Sequence, residues 1–270
     1  MRRVDRFRGA VLFLAMGLAL LFAPSSVAQQ NPAPTNPSPK ASLTVVEIVN
    51  HLEQRNRERA AALRGFKGTR VYRIEYHGFF GNRNAEITVN VSYKSTDGKE
   101  FTIVSRKGSA FLVDHVLKGL LAGEKEATTA TNQRRSALSA ENYDFTLAGF
   151  ETTQDSAQYV LNVTPKTPEK YLYRGKIWVD AKDFAVTRIE AEPSKSPSVW
   201  VKRSQITHKY EKIGDFWLPA QNRTESWIRL GGHALLSIDY QDYNITDRMP
   251  LERAADAAGT ESSGEAARQN

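Results

Sequence analysis

The sequence contains no cysteine. That excludes a disulfide, a thiol nucleophile and any Cys-based metal site, and it leaves no cysteine to carry a lipid anchor behind a signal sequence. Recognised catalytic spacings are missing as well. The five histidines, His51, His77, His115, His208 and His233, form neither HExxH nor HxH, and no GxSxG, SxxK, P-loop or GxGxxG occurs. Apolar runs of spanning length are absent. The longest, Ala10–Phe22, is 13 residues, against the ~20 that cross a bilayer. One-sided charge is also lacking: the formal +7 falls to +4 once the four arginines and one aspartate of residues 1–28 are set aside. So weak a bias is no footprint for nucleic acid. These absences yield the expectations of no catalytic residue, no metal and no cofactor.

What is present begins at the N-terminus. Arg2, Arg3, Arg6 and Arg8 precede the apolar run, and Ser26-Val27-Ala28 follow it. A basic region, a short apolar region and small residues make a cleavable secretory signal, with cleavage expected after Ala28. The chain is thus expected to be exported and not membrane-spanning. Residues 29–41 are rich in Pro, Asn and Ser and read as a flexible linker. Residues 249–270 offer nothing large to bury after Leu251 and are expected to be disordered. One domain, 42–248, remains, with no repeat of fixed length.

Its first element is a helix. Thr44-Val45-Val46-Glu47 fits a capping box, and Val45, Ile48, Val49 and Leu52 recur as one apolar stripe. Arg55, Arg57, Arg59 and Arg64 lie on the other side, and Gly65 is expected to end the helix. Alternating runs follow at 69–77, 85–94 and 100–106, with Asp97-Gly98 as a hairpin signal. Between 110 and 141 the period changes. Phe111, Leu112, Val116 and Leu120 predict a second helix, interrupted near Gly119 and Gly123, and a loop with a third short helix follows. Seven more strands are expected from Tyr143 to Ile245, with turns at Gly214-Asp215 and Gly231-Gly232. The fold class is α+β: a strongly curved antiparallel sheet, an unclosed half-barrel of about ten or eleven strands, with two or three helices over its apolar concave face.

The alternation places Tyr72 and Ile74 on that face, then Ile87, Val89 and Val91, then Phe101 and Ile103. Later strands add Tyr159 and Leu161, Tyr173, Ile177 and Val179, Ile189, Ile206, Ile228, Leu236 and Ile238. Such residues either pack solid as core or line a groove that shelters a lipid, and the pattern alone leaves both open. Two further features stand out. Arg55, Arg57 and Arg59, with Arg64, Lys67 and Arg70 after them, form either a solvated helix face or a docking patch for lipid headgroups or an acidic partner. Phe79 and Phe80 sit at a hairpin tip, where one is expected to be exposed to a partner, a lipid or a cavity mouth. Asp114, His115 and Ser109 would make a hydrolase only if the fold brought them within hydrogen-bond reach.

The stretch YLYRGKIWVDAKDFAVTRIEAEP (171–193), with ITHKYEKIGDFWLPAQNRTES (206–226), IDYQDYNI (238–245) and NYDFTLAGFETTQDSAQYVLNVTPK (142–166), resembles the outer-membrane lipoprotein-sorting proteins, the periplasmic LolA/LolB-like superfamily. The pattern is a strand carrying Trp178 and Asp180, a turn, a strand with Arg188, then a Gly-Asp turn and Trp217-Leu218-Pro219. The resemblance implies an unclosed antiparallel barrel of about eleven strands, with helices as a lid over an apolar cavity. It further implies a periplasmic, non-enzymatic, monomeric carrier of the acyl chains of a lipoprotein or lipid, met by inner- or outer-membrane transfer proteins. The alternative is an envelope binding or stress-sensing module acting through protein contacts. Physics favours a shelter: at ~0.8 kcal/mol per exposed methylene, a sixteen-carbon chain in water costs roughly 12 kcal/mol.

Overall fold

Thr44 opens the first helix as its residue pattern dictates. Its Oγ1 accepts from the Glu47 amide at 3.3 Å, and the Glu47 carboxylate accepts from the Thr44 amide at 2.7 Å. Two of the orphan donors at the helix start are satisfied this way. Helix α1 runs Val45–Ala62 and buries Ile48, Val49 and Leu52. This computed structural model describes residues 43–256 apart from Phe80, Asp155, Pro197, Ser198 and Leu230. The expected signal (1–28), linker (29–41), Phe80 and the last residues of the expected tail (257–270) lie outside the described residues.

Gly65 does not end α1. The strand β1 (Leu63–His77) starts at the next residue, without a turn. Gly65 sits inside β1, where a Cβ would come within 2.8 Å of Thr246 Oγ1. Close approach of the neighbouring strand, rather than helix termination, explains this glycine. Strands β2 (Arg83–Lys94) and β3 (Gly98–Gly108) complete a first meander, with Gly98 turning at φ 79°. A helical insertion follows: α2 (Ala110–Leu112), a π-helical turn (Val113–Leu117), α3 (Lys118–Ala127) and α4 (Ala130–Ser136). Gly119 and Gly123 lie within α3 and do not interrupt it. A second meander then runs β4 (Tyr143–Thr152), β5 (Ala157–Pro165), β6 (Tyr173–Asp180), β7 (Val186–Pro193), β8 (Val201–Ile213), β9 (Phe216–Ile228) and β10 (Gly232–Arg248).

The ten strands form one sheet in the order β3-β2-β1-β10-β9-β8-β7-β6-β5-β4. Antiparallel pairing of β1 with β10, from Leu63↔Arg248 to His77↔His233, joins the two meanders. β3 and β4 are its edges and do not meet, so the sheet is an unclosed, curved half-barrel. The insertion links one edge to the other.

The inward face carries two apolar lobes rather than one continuous lining. Under α1, Ile48, Val49 and Leu52 pack on Leu161, Val163, Tyr173, Ile177, Val179 and Ile189. Under the insertion, Leu112, Val113, Val116, Leu117, Leu120 and Leu121 pack on Tyr72, Ile74, Ile87, Val89, Val91, Leu236 and Ile238. The expected disorder from 249 onward is corrected over its first residues. Residues 251–256 are helical, and Ala254, one turn after Leu251, is fully buried in the insertion-side lobe. That apolar pair, three residues apart, is enough to hold a helical turn against a core that is already formed.

Arg59 fastens α1 to the sheet. Its guanidinium donates to the carbonyls of Asp183 and Phe184, each at 2.9 Å, and to Asn56 Oδ1 at 2.8 Å. Both carbonyls belong to the β6–β7 turn, where Phe184 adopts φ 47°, a strained conformation for a residue with a Cβ. Replacing Arg59 with Met removes the clamp and strands two carbonyls. Urea unfolding of Arg59→Met is expected to show a loss of about 3 kcal/mol.

Candidate functional site

A cleft opens where the end of α1, the start of β1 and the helical insertion converge on the sheet. Its walls are Ala60, Leu63, Phe66, Tyr93, Phe216, Trp217, Leu218, Pro219 and Tyr243, with Arg59, Arg70, Lys99, Thr128 and Gln133 as its polar members. Its enclosed space is about 70 Å³, and beyond that the cleft opens to solvent. Concave sites that are mostly apolar with a few polar groups are the usual form of small-molecule pockets. Phe66 stacks at a tilt on Tyr93, centroids 5.2 Å apart, and meets Tyr243 edge-on at 5.6 Å. These rings give the wall a fixed shape.

Beneath the cleft lies a buried ion pair. Arg70 of β1 bonds the carboxylate of Glu124 on α3. The Tyr72 hydroxyl donates to the other Glu124 oxygen at 2.7 Å. Arg70 also lies 4.8 Å over the Tyr240 ring and 5.6 Å over the Phe101 ring. Burial works against the charge on Glu124, yet Arg70 and Lys99 outweigh it and hold the carboxyl below its ordinary range. Burial likewise opposes the charge on Arg70, and Glu124 more than offsets it. The pair is therefore ionised.

Lys99 is different. It is 7 % exposed and belongs to the cleft wall. Among the described residues no hydrogen bond or ion pair reaches its ammonium. Burial, and then Arg70, push Lys99 down to about 8, with Glu124 pulling the other way.

None of the side chains expected to line a lipid groove borders this cleft. Tyr72, Ile74, Ile87, Val89, Val91, Leu236 and Ile238 are core of one lobe, with Phe101 and Ile103 half-buried beside it. Leu161, Tyr173, Ile177, Val179 and Ile189 are core of the other, with Tyr159 at its margin. Ile206 and Ile228 stand on β8 and β9, outside both lobes. There the inward face turns polar, with Ser204, His208, Asn222 and Thr224 all buried. His208 is bonded to Asn222, and burial pushes it down to about 4, so it is neutral.

Of the arginines expected as a docking patch, Arg55 and Arg57 remain partly exposed and one, Arg59, turns inward. Arg55 pairs with Glu58 at 2.9 Å, Arg57 with Glu53 at 3.7 Å, and Arg59 is buried in its clamp. A charge that has found buried carbonyls is not available at the surface. Phe79 is 85 % exposed at the β1–β2 tip. The hydrolase grouping is not formed either. Ser109 caps α2 by accepting from the Leu112 amide at 3.4 Å, and Asp114 pairs with Lys118 at 2.7 Å. Among the described residues no group of three or more His, Asp or Glu is placed to hold a metal. None of their helices is long and apolar enough to cross a membrane.

The charged members of the site escape a reading that assigns charge to solvent, yet the periodicity contains them. Lys99 precedes Phe101 and Ile103 by two and four residues on β3, and Arg70 precedes Tyr72 and Ile74 in the same way on β1. Glu124 continues the helical stripe Leu117, Leu120, Leu121.

Comparison with known proteins gives distant likenesses. A family model described as an uncharacterized protein matches residues 130–249. No curated protein matches the chain. Among solved structures, a DUF1329 family protein from Desulfovibrio piger is 13% identical, with a TM-score of 0.36, covering 74% of this chain and 93% of its own. A putative outer membrane lipoprotein-sorting protein domain from Vibrio parahaemolyticus is 12% identical, with a TM-score of 0.36, covering 77% and 97%. A LolA superfamily protein from Nitrosomonas europaea is 13% identical, with a TM-score of 0.32, covering 78% and 97%. At such distances, function has to be argued from this chain's own residues.

Two expectations follow from the charged floor. Glu124→Gln leaves two buried cations without a counter-charge and should cost about 3–5 kcal/mol in denaturant unfolding, whereas Arg70→Met with Glu124→Leu together should cost less than either change alone. Lys99 sets a pH signature. Its folded value of about 8 lies below its ordinary 10.5, so across that window the unfolded chain holds a proton that the native chain has lost. Its contribution therefore makes stability rise with pH from about 8 to 10.5. Lys99→Met should remove that rise and be more stable than the parent chain near pH 7, by up to about 3 kcal/mol.

Proposed function

We propose that this chain is an exported, non-enzymatic carrier that shelters the acyl chain of a lipoprotein or lipid on its way towards the outer membrane. The observation that carries this reading is the cleft itself. It is a solvent-open concavity walled by Leu63, Phe66, Tyr93, Phe216, Leu218 and Tyr243, set between two helical covers on one curved sheet. Burial of a hydrocarbon tail is non-directional and needs no precisely placed polar group, and a wall of rings and aliphatic chains supplies it. The two lobes would lengthen the shelter if the helices shift, bringing side chains such as Val89 and Ile177 into contact with the tail. A periplasmic location, monomeric state and hand-over to membrane transfer proteins belong to the same proposal, resting on the signal-like N-terminus and the resemblance of residues 142–245. The alternative is an envelope sensor that docks through Arg55 and Arg57, which remain partly exposed, without Arg59, which is engaged internally.

Native mass spectrometry of the exported chain should find co-purified lipid, and the delipidated chain should extract a fluorescent fatty acid from vesicles. Ala60→Trp, which fills the cleft from α1, should weaken that extraction at least ~10-fold while leaving the melting temperature within a few degrees. An unmutated, folded chain that takes up no acyl probe would overturn the proposal.

A further inference from the structure

The wall of the cleft contains three cations, Arg59, Arg70 and Lys99, and no acidic residue. Two of the three are answered from within the protein. Arg70 has Glu124 beneath it, and Arg59 has the carbonyls of Asp183 and Phe184. Lys99 has no such partner among the described residues, although only 7 % of it is exposed. Glu124 answers Lys99 only at longer range, since its oxygens are bonded to Arg70 and Tyr72, and a largely buried ammonium with no contact of its own is expensive. Its persistence is explained if something from outside completes it.

The charge count and the shape of the wall decide what that is. Arg70 and Lys99 share the one carboxylate of Glu124, an excess of one positive charge that calls for an anion, and the adjoining Leu63, Phe66, Phe216 and Leu218 call for hydrocarbon. Tyr93 and Gln133 also line the cleft, and neither side chain makes a hydrogen bond to a described residue. Lysine suits a compact anionic head, since its ammonium is a point charge that does not demand the planar two-oxygen geometry arginine prefers.

From this geometry we infer that the cleft is the seat of an anionic amphiphile, with a carboxylate or phosphate head against Lys99 and its alkyl tail along the aromatic wall. The inference rests on the carrier reading and narrows it, because neutral acyl chains become the weaker ligands. The head is held by charge and hydrogen bonds alone; no bond is made or broken.

The test uses displacement of a fluorescent fatty-acid reporter from the purified exported chain by laurate, dodecyl phosphate, dodecanol and inorganic phosphate. Laurate and dodecyl phosphate are expected to compete ~10–100-fold better than dodecanol, the worth of one charged hydrogen bond. Lys99→Met should bring both down to the level of dodecanol. Equal competition by laurate and dodecanol on the unmutated chain overturns the inference and spares the carrier reading; so does Lys99→Met binding laurate as the parent does. Displacement of the reporter by inorganic phosphate as effective as that by dodecyl phosphate would make this a free-anion site and overturn it too. Failure of every alkyl ligand, dodecanol included, ends the carrier reading and this inference with it. The ligand comparison on the unmutated chain decides the matter even if Lys99→Met does not fold.

Discussion

The contact between Arg70 and Glu124 is the one on which the rest of this architecture leans. An unclosed sheet cannot seal its own concave face, so something must be held over it. The insertion that does so is anchored by apolar packing, which resists separation but tolerates sliding. A buried ion pair with a tyrosine on its second oxygen is directional, and it fixes where α3 lies along β1. Two neighbouring features follow. Lys99 is reached by Glu124 only at a distance, because that carboxylate is already bonded to Arg70 and Tyr72. The cleft keeps its floor, because α3 cannot settle further into the lobe.

Much of this fold was legible in residue order. The Thr44 and Glu47 pair forms the cap its spacing demands, and the alternation Ile87, Val89, Val91 is an inward row on β2. Asp97-Gly98 and Gly214-Asp215 turn where glycine permits a left-handed backbone. Gly65 was misleading, because a glycine after a helical stripe looks the same whether it caps the helix or makes room for Thr246 on a strand nearly two hundred residues away. Alternation also tells which face a side chain takes but not which helix covers it. The seventeen inward residues therefore read as one lining, where the structure divides fifteen of them between two lobes and leaves Ile206 and Ile228 outside both.

The site was less legible than the fold, for a physical reason. Lys99, Arg70 and Glu124 obey the same periods as the apolar residues around them, yet charge is ordinarily assigned to water. Only a partner on a distant element can make such a residue tolerable inside, and nothing local in the sequence marks that partner. Arg59 shows the converse. It sits in a run of arginines that reads as surface, and the carbonyls that draw it inward lie across the fold.

The junction of α1 and β1 has a mechanical corollary. Ala62 and Leu63 pass from helix to strand with no loop between them, so α1 has no hinge at that end and moves only as the strand bends with it. The insertion, by contrast, is segmented: Thr128 and Thr129 separate α3 from α4. Of the two roofs over this sheet, one is welded and the other jointed, and any rearrangement of the cover falls to the jointed side.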